Sequence, residues 1–146
     1  TPDNSTHFAL HTMDIDTEEM QIPDIDYRIA VAVPCKELTR LCRDAMLMDG
    51  TCQVTFKDQT MVVHTAGDLG TFTKTWTTGS SPAHITNRDP TAALHVSLSW
   101  KYLSMFAKAG ALTPTALWSC TPDQPTRLHF QVGTHGWLRY YLAPQV

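Results

Sequence analysis

The order strand, helix and three strands occurs twice along this chain of 146 residues, and this repetition constrains its fold more than any other feature. Each copy starts with a short apolar run that is typical of a strand and continues into a segment with helical periodicity. Three strand-like segments follow each helix, and the copies share this order without visible sequence identity. The first copy spans residues 28–33, 34–48, 51–56, 60–65 and 69–76, and the second spans 94–98, 99–110, 115–120, 127–132 and 137–143. Two helices and eight antiparallel strands predict an α+β domain in which both helices pack on one face of antiparallel sheet.

Proline and glycine mark the limits of the predicted elements. Pro34 suits the first turn of a helix, because proline lacks the N–H group that has no partner there. Asp49 and Gly50 favour the end of the same helix. The segment 77–90 contains Gly, Ser, Pro and Asn, so we expect an exposed loop there. Before the repeats, the alternation of residues 8–13 predicts a strand, and residues 14–26 are expected to form an acidic connector.

Charge is unevenly distributed along the chain. The net charge is -3, but residues 1–26 hold seven acidic residues and no Lys or Arg. The remaining residues hold 11 basic residues against seven acidic ones, a net charge of +4. Both predicted helices place basic residues opposite their apolar side: Lys36, Arg40 and Arg43 in the first helix, Lys101 and Lys108 in the second. One basic helix face is usually only solvated, whereas two on the same sheet face favour sequence-independent contact with the phosphates of duplex DNA.

Composition and motifs exclude several other classes. The longest apolar run, residues 29–33, is too short to cross a bilayer, so we expect no membrane partner. Four cysteines, Cys35, Cys42, Cys52 and Cys120, lack zinc-ligand spacing, which predicts reduced thiols and no metal site. No nucleophile-elbow, zinc-protease or glycine-rich phosphate motif occurs, so we expect no catalytic residue and no cofactor. A small thiol-dependent hydrolase remains an alternative, because folding can bring a cysteine beside a histidine without leaving a local motif.

Five segments occur in the order in which similar segments occur in one known family. They are the connector at residues 13–23, Leu41-Cys42-Arg43-Asp44 in the first helix, the turn at 66–70, residues 102–109 in the second helix, and the closing segment 137–144. In these segments the chain resembles the family of the proliferating cell nuclear antigen, the eukaryotic DNA sliding clamps. The resemblance extends over residues 8–146 and is weakest in the loop at 77–93.

The resemblance implies a domain organisation and a function. Members of the family are longer and contain two similar domains, so this chain is expected to be a C-terminal part. Residues 1–13 would be the last strand of the first domain, 14–26 the interdomain connecting loop and 27–146 the C-terminal sliding-clamp domain. Family members form homotrimeric rings that encircle duplex DNA in the nucleus, where they act in replication and repair. The resemblance therefore implies a DNA polymerase processivity factor that is not an enzyme.

The resemblance also implies three sets of site residues. The DNA-facing residues would be Lys36, Arg40, Arg43, Lys101 and Lys108. A pocket for peptides from polymerases, ligases, nucleases and the clamp loader would include Met20, Ile22, Pro125, Tyr141, Ala143 and Pro144. The subunit interface would include Leu69, Thr71, Phe72, Thr73, Lys74 and Trp76, which would pair with the strand at 8–13 of another protomer. Phe72 and Trp76 could equally be residues that pack within the sheet.

Lys57, in the turn before Asp58, matches the lysine at which family clamps are ubiquitinated. An exposed lysine in a turn usually has no role besides solubility, so this expectation depends on the resemblance alone. Its neighbours depart from the family pattern, with Phe56 before it and Gln59 in place of a glycine. A subunit of the related damage-checkpoint clamp is a further alternative, although those subunits lack the Tyr-Tyr-Leu-Ala-Pro ending found here.

Overall fold

The computed structural model describes residues 4–13 and 24–145, in which nine strands and two helices form an α+β fold. In chain order the elements are β1 (Ile29–Pro34), α1 (Cys35–Met46), β2 (Cys52–Lys57), β3 (Thr60–Gly67), β4 (Gly70–Thr77), β5 (His84–Asn87), β6 (Leu94–Leu98), α2 (Trp100–Ala107), a 3₁₀ turn (Lys108–Ala111), β7 (Thr115–Cys120), β8 (Thr126–Val132) and β9 (Gly136–Leu142). The predicted order of strand, helix and three strands therefore occurs twice, and the α+β class is confirmed.

Two predicted segments differ from the structure. The segment 77–90 contains a short strand, β5, which pairs with β1, so it is not entirely loop. Tertiary pairing with β1 supplies hydrogen bonds that the turn-rich composition of this segment does not reveal. Residues 8–13 were predicted as a strand, but they form none and their side chains are exposed. No strand of the described chain pairs with them, and an alternating pattern without a pairing partner does not hold a strand in water.

The limits of both helices are shifted slightly from the predicted ones. Pro34 is the last residue of β1 and the cap of α1, with φ -58° and ψ 134°, so the helix begins one residue later than predicted. Helix α1 ends at Met46, before Asp49 adopts a left-handed φ of 50°. Helix α2 ends at Ala107 and continues as the 3₁₀ turn, where Gly110 packs so closely on Cys35 that an added Cβ would lie 2.8 Å from the cysteine Cβ.

The strands form two antiparallel sheets, and each sheet contains strands from both repeats. One sheet has the order β5-β1-β7-β8-β9 and the other β4-β3-β2-β6. Strand β1 of the first repeat pairs with β7 of the second, with Val31 opposite Trp118. Strand β6 of the second repeat pairs with β2 of the first, with Val54 opposite Val96. Because the opening strands are exchanged in this way, neither repeat completes its sheet by itself.

A single hydrophobic core joins the two sheets and the two helices. The burial pattern alternates along β1, β2 and β3, as expected for strands with one buried face. Helix α1 buries Leu38, Leu41 and Ala45, and it packs on β1, β4 and α2. Helix α2 packs on α1 and on β9, where Phe106 stacks on Tyr140 with ring centroids 4.8 Å apart. Neither helix of the described part of the chain is long and apolar enough to cross a membrane.

One buried hydrogen bond links the second helix to the sheet of the first repeat. The indole N–H of Trp100, the first residue of α2, donates to the hydroxyl of Thr65 in β3. Both side chains are buried, with 3% of Trp100 and none of Thr65 exposed. A buried indole N–H without an acceptor loses its hydrogen bond to water and gains nothing in return. This bond therefore contributes to the position of α2 on the domain.

Thr65→Val tests that contribution. Valine has nearly the same shape but cannot accept a hydrogen bond, so we expect the free energy of unfolding to fall by about 1–3 kcal/mol. Urea unfolding followed by tryptophan fluorescence measures the change. Thr65→Ser is the matched control, because it retains the hydroxyl; it should lose less stability than the valine variant. A valine variant as stable as the wild type would contradict the assigned role of the bond.

Candidate functional site

The exposed side of α1 carries three basic residues. Lys36, Arg40 and Arg43 lie opposite the buried side of the helix, and the Arg40 and Arg43 side chains are 61% and 69% exposed. They line a shallow depression of about 440 Å³ together with Cys35, Thr39, Gly110 and Ala111. The structure thus places these three predicted residues on one continuous surface.

The second helix and the 3₁₀ turn after it lie beside α1 and add further basic residues to this surface. Lys108 and Arg43 line the same depression of about 380 Å³, which lies between the helices and also contains Thr39 and Ser104. Lys108 belongs to the 3₁₀ turn, although the sequence placed it within the second helix. Lys101 lies apart from these residues, in a depression that it shares with Asp49. We call the five residues Lys36, Arg40, Arg43, Lys101 and Lys108 the basic helix surface.

Acidic and aromatic groups lie beside the cations of this surface. Glu37 lies 3.6 Å from Arg40 and Asp44 lies 3.7 Å from Arg43, measured between charged atoms. Both pairs are solvent-accessible, so each contributes little to stability and leaves the arginines available to other anions. Tyr102 of α2 is 48% exposed, and its ring centroid lies 6.0 Å from Nζ of Lys101.

The predicted subunit-interface residues lie along the edge of the four-stranded sheet. Strand β4 pairs only with β3 among the described strands, so its other edge is unpaired. Leu69 precedes β4 and is exposed, as are Thr71, Thr73 and Lys74 within it. Phe72 is half-buried against the core, and Trp76 is 1% exposed. For the Trp76 side chain, the structure favours packing within the sheet over contact with another subunit.

The predicted peptide pocket is only partly described. Met20 and Ile22 lie outside the described residues. Pro125 accepts a hydrogen bond of 2.9 Å at its carbonyl oxygen from the hydroxyl of Tyr27. Burial raises the pKa of Tyr27 to about 12, with the nearby Arg127 opposing the shift, so this hydroxyl keeps its proton near neutral pH. The hydrogen bond thereby holds Tyr27 against the loop that precedes β8.

Tyr141 and Pro144 lie in two different depressions. Tyr141 is half-buried and lines a cavity of about 290 Å³ with Asp24, Ile25, Tyr27, Arg127, Trp137 and Arg139. Pro144 lines a cavity of about 510 Å³ with polar residues of β2, β6 and the loop after β7. The backbone N–H of Gln145 donates to the carbonyl oxygen of Ser97, 2.8 Å away, and so fixes the C-terminal segment beside β6. Ala143 is exposed and lines neither of these cavities.

Four residues of the smaller cavity were not predicted as site residues. They are Tyr27, Arg127, Trp137 and Arg139. The alternation along the last two strands contained a signal for three of them, because Arg127, Trp137 and Arg139 fall on the face that carries Tyr141. Which residues face each other depends on the β8–β9 register, which places Arg127 opposite Tyr141.

The cysteines do not have the properties of catalytic thiols. Cys35, Cys42, Cys52 and Cys120 are all buried and free. Burial raises the pKa of Cys42 and of Cys120 to about 12, and it also raises the pKa of Cys35 and Cys52. Nucleophilic cysteines need a lowered pKa, so these shifts disfavour the thiol-hydrolase alternative. Within residues 4–13 and 24–145, no three His, Cys, Asp or Glu residues are grouped so that they could hold a metal ion.

Lys57 is exposed at the end of β2, immediately before a tight turn. Asp58 in that turn has a positive φ of 53°, and its carbonyl oxygen accepts a hydrogen bond of 3.0 Å from the side-chain amide of Asn87. The amino group of Lys57 is therefore accessible at a position that the backbone holds in place.

Comparison with known proteins identifies the fold family. The family model described as proliferating cell nuclear antigen, C-terminal domain, matches residues 21–145. The proliferating cell nuclear antigen of Caenorhabditis elegans is 29% identical over 150 residues, which cover 99% of this chain and 56% of that protein. The chain thus spans about half the length of this relative. Because the family model covers most of the chain, including both helices and all nine strands, the chain belongs to the family of the proliferating cell nuclear antigen C-terminal domain.

Proposed function

We propose that this chain is the C-terminal part of a DNA sliding clamp, which holds replication proteins on duplex DNA without catalysing a reaction. The observation that carries the proposal is the basic helix surface on a domain of this family. Four of its five cations line the two adjoining depressions along α1 and the 3₁₀ turn. A cationic surface formed by exposed side chains attracts phosphates without selecting a base sequence.

In the proposed mechanism, the cations attract the DNA phosphates, whereas the closed ring keeps the DNA bound. Contacts between exposed cations and phosphates are screened by salt and exchange readily, so they permit movement along the duplex. A closed ring would then retain the DNA by encircling it, and no tight contact would be required. This chain would supply the connector at 14–26 and the domain at 27–146, and the longer protein would act as a nuclear homotrimer.

Charge reversal of the basic helix surface tests the DNA proposal. The variant with Arg40, Arg43, Lys101 and Lys108 changed to Glu should lose measurable binding to a labelled duplex at low salt. The wild type should bind weakly, with an affinity that falls as salt rises by a logarithmic slope of about 0.9 per phosphate contact. Fluorescence anisotropy across a salt series measures both quantities.

A matched pair of variants controls for the change in net charge. Arg40→Glu with Arg43→Glu should weaken binding at least about tenfold, because each reversal replaces an attraction to phosphate with a repulsion. Lys57→Glu with Arg88→Glu changes the net charge equally, at positions outside both helices. Equal weakening by the two pairs would attribute binding to net charge alone and would contradict the assignment to the helices.

We propose a second role for the region around Tyr141, which would bind short peptides of replication and repair proteins. Polymerases, ligases, nucleases and the clamp loader would present a glutamine and paired aromatic residues to this region. Support comes from the cavity beside Tyr141, in which Tyr27, Trp137 and Ile25 offer apolar surface to an aromatic anchor. Met20 and Ile22, with Pro125, Ala143 and Pro144, would complete the peptide site.

Tyr141→Ala tests the peptide proposal. Removal of this ring takes away one wall of the cavity, so the Kd of a labelled peptide with a glutamine and paired aromatic residues should rise about tenfold or more. Tyr102→Ala is the control, because it removes an exposed tyrosine from a helix, away from the cavity. Equal affinities of the wild type and Tyr141→Ala would exclude the proposed pocket.

We propose a third role for the edge of β4, which would pair with the segment 8–13 of another chain. The edge is unpaired in the described structure, and the segment has exposed apolar residues, Phe8, Leu10 and Met13. Such edges favour the addition of a strand from another chain. In the complete protein, this contact would join neighbouring subunits of the ring through Leu69, Thr71, Phe72, Thr73, Lys74 and the backbone at Trp76. Lys57 would remain accessible for ubiquitin attachment.

Deletion of residues 1–13 tests this pairing. The wild type should associate head to tail, so its apparent mass in sizing chromatography should rise with concentration. The deletion variant should remain a monomer at the same concentrations, because it lacks the segment that would pair with β4. The described part of that segment is exposed, so its removal should leave the thermal stability unchanged. A wild type that elutes as a monomer at every concentration would contradict the proposal.

A further inference from the structure

The outer face of the last two strands carries a cluster of cationic and aromatic residues. In the β8–β9 register, Arg127 lies opposite Tyr141, His129 opposite Arg139, and Gln131 opposite Trp137. The intervening residues Leu128 and Phe130 are buried in the core, so these six residues share the other face. We call Tyr27, Arg127, Trp137, Arg139 and Tyr141 the cation–aromatic face, because they line one cavity of about 290 Å³.

Two neighbours hold the guanidinium group of Arg139. Its Nε donates a hydrogen bond of 2.9 Å to Nδ1 of His129, and its central carbon lies 4.3 Å from the ring centroid of Trp137. Burial lowers the pKa of His129, and Arg139 and Arg127 lower it further, while the hydrogen bond with Gln131 partly opposes the shift. His129 is therefore neutral near pH 7 and can accept this bond. A guanidinium held in this way loses less conformational entropy when it binds an anion.

Arg127 is oriented by Tyr27, but its Nε has no hydrogen-bond acceptor among the described residues. Its guanidinium carbon lies 4.8 Å from the ring centroid of Tyr27, and its Nε is buried without an acceptor in the described structure. The neighbouring Ser119, opposite Arg127 on β7, is buried and also lacks a hydrogen-bond partner there. Neither Arg127 nor Arg139 forms an ion pair with a carboxylate of residues 4–13 or 24–145. The guanidinium groups of both arginines are therefore available to bind an anion.

We infer that this face binds carboxylate side chains of a partner peptide, next to the aromatic anchor that contacts Tyr141. The inference rests on the proposed peptide-binding function and adds a preference for acidic partners. Arginine pairs with a carboxylate through two parallel hydrogen bonds. Trp137 is 55% exposed, so its ring offers a surface to an apolar or aromatic side chain of the same peptide. The cavity has room for a few side chains, and the two arginines on its wall outnumber its one carboxylate, Asp24.

Two peptides with the same aromatic anchor test this preference. One carries Asp and Glu beside the anchor, and the other carries Asn and Gln at the same positions. We expect the acidic peptide to bind the wild type about tenfold more tightly at low salt, and this advantage to shrink as salt screens the charges. Competition in fluorescence anisotropy measures both affinities on the intact chain.

The double variant Arg127→Gln/Arg139→Gln should bind the acidic and the neutral peptide with equal affinity, because the preference is the ratio of the two Kd values and both peptides carry the same anchor. Arg139→Lys keeps the charge but loses the paired hydrogen bonds, so it should retain only part of the preference. Lys57→Gln/Arg88→Gln is the matched control, because it also removes two cations, both exposed and outside β8 and β9. It should retain the full preference.

The possible results separate this inference from the function on which it rests. If both peptides bind equally, with binding that depends on Tyr141, the acidic preference is wrong and the peptide pocket stands. If neither peptide binds the wild type, both the pocket and the preference are wrong. If a single-stranded oligonucleotide displaces the acidic peptide in the wild type, and binds the double variant more weakly, the face is a nucleic-acid site and the peptide assignment is overturned.

Discussion

The exchange of opening strands between the two repeats is the interaction on which the rest of this structure depends. Strand β1 completes the sheet of the second repeat by pairing with β7, and β6 completes the sheet of the first repeat by pairing with β2. The helices that follow β1 and β6 are thereby brought beside each other. Their exposed sides then form one basic surface, and the burial of a single core stabilises both halves together.

The same exchange gives the domain surfaces of different chemical character. The helices carry exposed cations suited to phosphates, while β4 has an edge that no described strand pairs with and that suits a strand of another chain. The outer face of β8 and β9 combines arginines with aromatic rings, which suits a peptide with carboxylate and aromatic side chains. Because these three surfaces use different residues, the proposed DNA, subunit and peptide contacts do not compete for the same side chains.

Particular residues show how far the sequence could predict these surfaces. The positions of Lys36, Arg40 and Arg43 on one side of α1 followed from helical periodicity, because the apolar residues of this helix must face the core.

Lys108 was placed on a helix but lies in a 3₁₀ turn, where Gly110 packs on Cys35. Helical periodicity groups Tyr102 with Leu103 and Phe106, yet Tyr102 is exposed, since the short α2 buries only Trp100, Leu103 and Ala107. Trp76 could not be assigned to core or interface from the strand pattern alone.

By itself, the sequence determined the repeated order of elements, the α+β class and the charged side of the first helix. These features depend on local periodicity and on turn residues, which act over a few positions along the chain. The tertiary structure alone decided that β1 and β6 are exchanged, that 84–87 forms a strand, and that Arg127 and Arg139 share a cavity with Tyr27. Alternation specifies which face of a strand is buried, but the choice of neighbouring strand depends on how the whole core packs.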